Sequence, residues 1–328
     1  MNHKERISAL LAGEPVDRLP VSVWSHDFLR EWSAEDLAAQ TIEKYRTYDY
    51  DFMKINPRWT MYGEPWGNRY EMPTEQRFPR VLQLTVNGAD DFSRVPVVDA
   101  GHPVFREHET AVAAIVDAIG DEVDCIATVF SPLAALGLLA GGVGKPLLQY
   151  LPDAAEDMHA CLAHMTDTLA GHAQALLNAG AAGIFYAPLQ WTSLDTCPAD
   201  VYAEFGEPYD KKFLAAVSGA RFNMMHVCGN NTDLSRYFGY AVNVLNWDNF
   251  GTGNPGLAEA SRLSGKVVAG GIPHRAIHKI DEATLTAEAH AATRDVPGPL
   301  MLAGGCAIGA LVSDGPRQAV VRVAEQIS

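Results

Sequence analysis

The chain has 328 residues, of which 48% are hydrophobic and 20% are charged, values that are ordinary for a globular protein of one large or two smaller domains. Its formal net charge of −15 excludes a nucleic-acid partner, because binding a phosphate backbone needs clustered Lys and Arg. Five cysteines, odd in number and spread along the chain, are typical of a reducing compartment, and no apolar run reaches the ~18 residues of a membrane span. We therefore expect a cytoplasmic protein without membrane contact.

Short apolar runs alternate along the chain with longer segments of helical pattern. The predicted strands cover residues 19–24, 51–55, 124–130, 182–187, 221–226, 242–247, 266–269 and 299–303. The predicted helices cover residues 2–12, 34–48, 107–119, 152–180, 199–218, 255–263, 283–293 and 316–326. Most of the strands are almost continuously apolar, which is typical of parallel strands buried on both faces.

This alternation predicts an α/β fold with a single domain over residues 1–328. Eight strand–helix units fit one TIM (β/α)8 barrel, with residues 2–12 as an N-terminal helix outside it. A doubly wound sheet is the competing arrangement. The stretch between the second and third strands is too long for a plain connection. We therefore expect an insertion there, which covers the carboxyl end of the barrel with residues 57–120.

A candidate metal site is formed by an HxC motif, His226 to Cys228, and by the distant Cys306. Both parts directly follow predicted strands, and one intervening residue turns His226 and Cys228 to the same side of an extended segment. Two thiolates and an imidazole favour zinc and leave one position open for a substrate atom. The alternative is that both cysteines are ordinary buried thiols. Glycines, which allow sharp turns and close backbone approach, flank both cysteines at Gly229, Gly304 and Gly305.

Two further residues at the carboxyl ends of predicted strands are candidate catalytic residues. Asp248 follows the strand after His226, where its carboxylate either caps the following loop or reaches the metal as a displaceable fourth ligand. His26 follows the first strand. Barrel enzymes place their chemistry at this end of the strands, so both side chains are expected near the metal.

With these motifs in place, the chain resembles the uroporphyrinogen decarboxylase superfamily almost from end to end. The resemblance lies in residues 5–7, 13–21, 130–132, 178–181, 198–205 and 270–273. It implies a TIM barrel. The decarboxylases of the family carry an RQAGR-type segment after the first strand, which recognises an acidic porphyrinogen, and residues 24–30 lack it here. The methylcobamide:thiol methyltransferase branch carries HxC and a distant Cys, matched by His226, Cys228 and Cys306.

The resemblance implies a zinc-dependent methyltransferase that moves a methyl group to a zinc-activated thiol. The cofactor would be Zn²⁺, and the methyl donor either a corrinoid (cobalamin) on a partner protein or a small molecule. The segment 314–318 departs from the family's PxxN-type helix start, which leaves donor and acceptor open. One alternative is a metal-independent, decarboxylase-like lyase for a non-porphyrin acid, with a basic pocket built from Lys54 and Arg58. Another is a zinc-holding binding subunit without activity. Whether the chain forms a homodimer is left open by the sequence.

Overall fold

A computed structural model of the chain describes residues 1–327. Strands β1 to β10 are Val21–Ser22, Phe52–Ile55, Arg69–Glu71, Arg80–Gln83, Asp124–Phe130, Gly183–Ala187, Met224–Val227, Val244–Trp247, Val267–Ile272 and Leu300–Gly304. Helices α1 to α11 are His3–Leu11, Ala34–Tyr48, Pro103–Ile119, Pro132–Leu139, Lys145–Leu148, Leu151–Asn178, Ala199–Phe205, Glu207–Ala216, Leu257–Ser264, Glu282–Thr293 and Asp314–Gln326. Short 3-10 helices lie at Trp59–Tyr62, Glu64–Trp66, Ala89–Arg94, Leu189–Thr192 and Leu234–Tyr237.

Eight strands form one parallel sheet in the order β1-β10-β9-β8-β7-β6-β5-β2. This order follows the chain around a ring, so the predicted TIM barrel is confirmed and the doubly wound alternative is wrong. The residues of β5 to β10 are buried along their whole length, as expected for strands covered by helices outside and by side chains inside. In residues 1–327, no helix is long and apolar enough to cross a membrane.

The ring closes at the junction of β1 and β2, which we call the seam. Here one backbone hydrogen bond, from Asp51 N–H to the Val21 carbonyl at 2.9 Å, takes the place of a ladder. The carboxylate of Asp51 returns the contact by accepting from the Val21 N–H at 2.8 Å. The same carboxylate lies 2.6 Å from both Arg6 and Arg18 and 2.9 Å from His3. A fully buried carboxylate thus ties helix α1 and the first two strands together.

The predicted insertion between the second and third barrel strands is present. It contains three 3-10 helices and an antiparallel hairpin made of β3 and β4. The Phe78 ring packs on Phe28, which follows β1, with ring centroids 4.8 Å apart, and the Gln76 side chain accepts a hydrogen bond from the Phe28 N–H. The insertion therefore lies against the carboxyl end of β1, the end where the candidate site residues were predicted.

Most differences from the predicted elements concern their ends. The predicted helix 199–218 is broken at Gly206 into α7 and α8, because Pro208 starts a new helix directly after the glycine. Strand β9 continues to Ile272, three residues beyond its predicted end. Helix α3 begins at Pro103, four residues before the predicted start.

Because Asp51 ties the seam together, we expect its removal to lower the free energy of unfolding strongly. Asp51→Ala leaves the guanidinium groups of Arg6 and Arg18 without their counter-charge, so the free energy of unfolding should fall by about 3–5 kcal/mol in urea titration. Asp17→Asn is the matched control: Asp17 also pairs with Arg6, but its side chain is 41% exposed and the loss should stay near about 1 kcal/mol. Equal losses for the two variants would contradict the role assigned to Asp51.

The difference between wild type and Asp51→Ala should depend on pH. Burial alone would raise the pKa of Asp51, but hydrogen bonds from His3 and Arg18 outweigh it and hold that pKa below its usual value. The contribution of Asp51 is therefore present above the unfolded pKa of about 3.9 and is lost as the pH falls through the folded value. Urea titrations at a series of pH values below about 4 should show the two proteins converging.

Candidate metal centre

The barrel brings His226, Cys228 and Cys306 together although β7 and β10 are separated by two strands in the sheet. The three potential ligand atoms lie within 4.8 Å of one another. His226 and Cys228 are buried, and Cys306 is partly exposed. Of the described residues, these three form the one group of His, Cys, Asp and Glu side chains that could hold a metal ion.

Asn246 on β8 fixes the orientation of the His226 ring. Its Oδ1 lies 2.7 Å from His226 Nδ1, and its Nδ2 donates to the carbonyls of Ala269 and Gly304, both at 3.0 Å. Because carbonyls only accept, the amide nitrogen of Asn246 must face them and its oxygen must accept from the ring. In a neutral His226 ring this contact places the proton on Nδ1 and leaves the lone pair on Nε2, the form that a metal ligand requires.

Thr192, in the 3-10 helix after β6, holds the backbone of Cys228. The Thr192 hydroxyl accepts from the Cys228 N–H at 2.9 Å and donates to the Cys228 carbonyl at 2.8 Å. The next residue, Gly229, has φ of +104°, a conformation that residues with a side chain rarely adopt. A Cβ at this position would lie 3.0 Å from the Ser193 Cβ. The backbone after Cys228 therefore turns sharply only because glycine follows.

Cys306 is positioned by a close backbone approach. A Cβ on Gly305 would lie 2.5 Å from the Cα of Asp248, so no other residue fits between β10 and the loop after β8. The glycine-rich flank noted in the sequence thus brings the Cys306 backbone against that of Asp248.

The two thiols contact each other and share a proton. Their hydrogen bond is the largest influence on both: it lowers the pKa of Cys306 well below the usual value and raises that of Cys228. The neighbouring His226 lowers the pKa of Cys306 further. Cys306 is therefore the more readily ionised thiol of the pair. By contrast, burial raises the pKa of Cys125 and Cys197 to about 12.

Asp248 lies beside this group but outside it. One carboxylate oxygen accepts from the Phe250 N–H at 3.2 Å, which is the loop-capping role weighed for it, and the other accepts from Arg275 at 3.0 Å. His274 Nδ1 lies 3.8 Å from the same carboxylate. To reach the metal position, Asp248 would have to exchange the guanidinium of Arg275 for the ion.

His274 is a buried residue of this region that the sequence analysis missed. It is 7% exposed, and its Nδ1 has no hydrogen-bond partner among residues 1–327. Burial lowers its pKa, while negative charge on Cys306 acts in the opposite direction. The predicted strand ends at residue 269, whereas β9 ends at Ile272. His274 therefore lies two residues beyond the true strand end, a position that the sequence pattern does not indicate.

His26 lies at the insertion and not in the group of three ligands. Its Nδ1 is 2.8 Å from the Glu31 carboxylate, whose other oxygen accepts from the Trp59 N–H at 2.9 Å. Its ring stacks on Phe28 with centroids 5.0 Å apart. His26 therefore connects the loop after β1 to the insertion.

Lys54, on β2, approaches the group from the opposite side of the barrel. Its Nζ lies 4.5 Å from the centroid of Phe185, and Phe185 stacks against His226 at 5.4 Å. Burial lowers the pKa of Lys54 to about 7, and negative charge on Cys306 opposes this shift. Arg58, the second residue of the basic pocket weighed in the sequence, is instead paired with Glu64 and Glu107.

Comparisons with known proteins agree with this architecture. The sequence matches the family described as Uroporphyrinogen decarboxylase (URO-D) over residues 2–325. No curated protein sequence matches the chain. Among solved structures, a methyltransferase from Methanosarcina mazei is similar with a TM-score of 0.83 and 18% identity, covering 99% of both chains.

Two methionine synthases are similar at lower scores. A putative vitamin-B12 independent methionine synthase from Listeria monocytogenes has a TM-score of 0.59 and 17% identity, covering 94% of this chain and 96% of its own. A B12-independent methionine synthase from a Shewanella species has a TM-score of 0.60 and 12% identity, covering 95% and 94%. Likeness at such identities shows the shared barrel.

The thiol pair predicts selective alkylation of metal-free protein. Iodoacetamide at pH 7 should modify Cys306 at least ~10 times faster than Cys125 or Cys197, because thiolates and not thiols react. Cys228→Ala removes the hydrogen bond that lowers the Cys306 pKa and should slow its modification. Peptide mass spectrometry over a time course measures both rates. Uniform slow labelling of the wild type would contradict the assigned thiolate.

Proposed function

The chain belongs to the uroporphyrinogen decarboxylase family, and from that premise we propose that it is a zinc-dependent methyltransferase acting on a thiol. The observation that supports this proposal most is the convergence of His226, Cys228 and Cys306 within 4.8 Å. The similarity to a Methanosarcina mazei methyltransferase over 99% of both chains adds to it. Residues 24–30 lack the RQAGR-type segment by which the family's decarboxylases recognise a porphyrinogen.

The donor set fits zinc. Two sulfur ligands and one imidazole nitrogen are the three protein ligands of a zinc site with an open position. Asn246 orients the His226 ring so that Nε2 can face a metal, and the lowered pKa of Cys306 favours the thiolate that binds zinc. Zinc bound here would lower the pKa of a substrate thiol and so supply a thiolate near neutral pH.

The protein's own residues would hold this arrangement during turnover. Thr192 fixes the Cys228 backbone, and the close packing of Gly305 on Asp248 fixes that of Cys306. Partial exposure of Cys306 leaves one side of the group open to a reactant. We further propose that Asp248, which contacts Arg275 in this structure, would be the displaceable fourth ligand of a bound zinc ion.

The transfer itself is a substitution at carbon. The sulfur of the substrate thiolate forms a bond to the methyl carbon, the bond from that carbon to the donor breaks, and its electron pair stays with the donor. The donor is either a methylated corrinoid on a partner protein or a small methyl compound. In this scheme the thiol proton is released when the thiol binds, before the methyl group moves.

Metal content tests the proposed site. Freshly purified protein should contain about one zinc per chain, and Ala at His226, Cys228 or Cys306 should remove most of it, because each variant leaves only two protein ligands. Asn246→Ala should keep the ligands but weaken zinc affinity ~10–100-fold, because the ring of His226 loses its orienting partner. Plasma mass spectrometry and chelator competition give both values. Full zinc retention in Cys306→Ala would disprove the three-residue site.

Thiol binding tests the chemistry. X-ray absorption at the zinc edge should change from about two sulfurs to three at about 2.3 Å when the substrate thiol is added, with release of about one proton near neutral pH. Asp248→Ala should retain zinc but change thiol affinity, since a displaceable ligand competes with the substrate.

Three outcomes separate the alternatives. Methyl transfer that disappears in His226→Ala, with donor binding intact, supports the methyltransferase. Loss of carbon dioxide from an acid substrate in metal-free protein, with an unchanged zinc shell on adding thiols, would favour the decarboxylase-like lyase. Intact zinc and retained corrinoid-protein binding without any turnover would favour a binding subunit.

A further inference from the structure

A second pocket opens beside the seam, away from the thiol pair. Two adjoining cavities, of about 210 and 20 Å³, lie between the end of β1, helix α2 and the start of α11. We call them together the seam cavity, with the smaller one as its inner end. They share five lining residues, namely Ser25, Gln40, Lys44, Tyr48 and Arg317.

Three cationic side chains converge on Ser25 at the inner end. Arg317 Nη1 donates to the Ser25 hydroxyl at 2.7 Å, and Lys44 Nζ donates to the Ser25 carbonyl at 3.1 Å. Lys54 Nζ donates to Asn56 Oδ1, and Asn56 Nδ2 donates to the same Ser25 carbonyl at 3.0 Å. Three positive groups are thus linked through one residue.

None of these cations is in contact with an acid, although the charge of Glu31 acts on both lysines, and that of Cys306 on Lys54, from a greater distance. The acceptors of Arg317, Lys44 and Lys54 are all neutral oxygens, and within residues 1–327 no carboxylate lies in ion-pair distance, 4.0 Å, of any of them. The residues that line the inner end include no Asp or Glu.

The acids of the outer cavity are engaged elsewhere. Glu43 pairs with Arg30 at 2.6 Å. Asp27 accepts from Gln76 at 2.7 Å, and Asp314 accepts from the Tyr48 hydroxyl at 2.6 Å. Asp27, Glu43 and Asp314 together offset the charge of the Lys and Arg side chains that line the outer cavity, so an excess of positive charge is confined to the inner end.

Leaving these groups unbalanced is costly. Arg317 is 6% exposed, and a buried guanidinium charge requires a partner or solvent. Burial also lowers the pKa of Lys44 to about 8, and repulsion from Arg317 adds to that shift. The Gln40 side chain is 4% exposed, and its Oε1 has no partner within the described part of the chain. The Gln40 nitrogen donates to the Thr41 hydroxyl at 3.2 Å, so only the amide oxygen lacks a partner. Buried cations without a contacting acid around one space are typical of a site whose ligand is missing.

We propose that the seam cavity is an anion-binding site that takes one carboxylate or phosphate group, with an anionic oxygen at the inner end between Lys44, Lys54 and Arg317. The group is either a free inorganic anion or part of a reactant. Only the second source rests on the proposed function, since it requires the remainder of the molecule to extend past Lys54 toward the thiol pair.

Phosphate titration of the full-length protein at constant ionic strength tests the site itself. Calorimetry should show saturable binding of inorganic phosphate to the wild type, and Lys44→Gln should weaken it about tenfold or more, because a charge-assisted hydrogen bond is lost. Lys44→Arg keeps the charge and should keep binding. Lys212→Gln, which removes an exposed lysine paired with Asp167, is the matched control and should bind like the wild type. Acetate, titrated in the same way, represents the carboxylate. The proposal would be overturned if neither anion bound saturably, or if Lys44→Gln bound phosphate as tightly as the wild type.

Two matched thiols then distinguish the sources with zinc-loaded protein. 3-Mercaptopropionate and 3-mercapto-1-propanol have the same length and differ in charge. If the anion belongs to a reactant, the carboxylate should bind about tenfold more tightly, and Lys44→Gln should abolish the preference. Equal thiol affinities with phosphate binding retained would identify a free anion. If neither thiol reaches the zinc, the proposed function fails while phosphate titration still decides the anion site.

Discussion

The carboxylate of Asp51 is the interaction on which the rest of the molecule depends. A barrel places groups from distant strands at a common point only when its ring is closed, and here the ring closes through one buried acid instead of a strand ladder. Two arginines and a histidine surround the Asp51 carboxylate and offset the free-energy cost of burying its charge. The convergence of β7 and β10 on one point is a consequence of this closure.

The metal-ligand candidates illustrate what sequence alone can predict. The i, i+2 spacing of His226 and Cys228 and their position after a strand follow from backbone geometry, so their common side could be inferred. The contribution of Asn246 could not, because it depends on which carbonyls its amide meets across two neighbouring strands. A local pattern identifies which side chains meet, but the tautomer of His226 is decided by tertiary contacts.

The fold was predicted more completely than the site. All eight barrel strands were expected, because buried parallel strands have a distinctive apolar pattern. Their ends were less certain, since glycine continues a strand as easily as it ends one, and β9 runs through Gly270 and Gly271 to Ile272. Because the predicted end of β9 was three residues too early, His274 was not recognised as a residue near a strand end. The cations around Ser25 were also missed as a group, because they come from α2, β2 and α11, far apart in the sequence.

The long sequence separation of the contacts around the seam has a consequence for biosynthesis. Arg317 and Ser25 are 292 residues apart, and the hydrogen bond from Tyr48 to Asp314 spans 266. On the ribosome, β2 can pair with β5 early, but β1 waits for β10, near the end of the chain, before its ladder partner emerges. Until then the edge of β1 stays open to pairing with other extended chains.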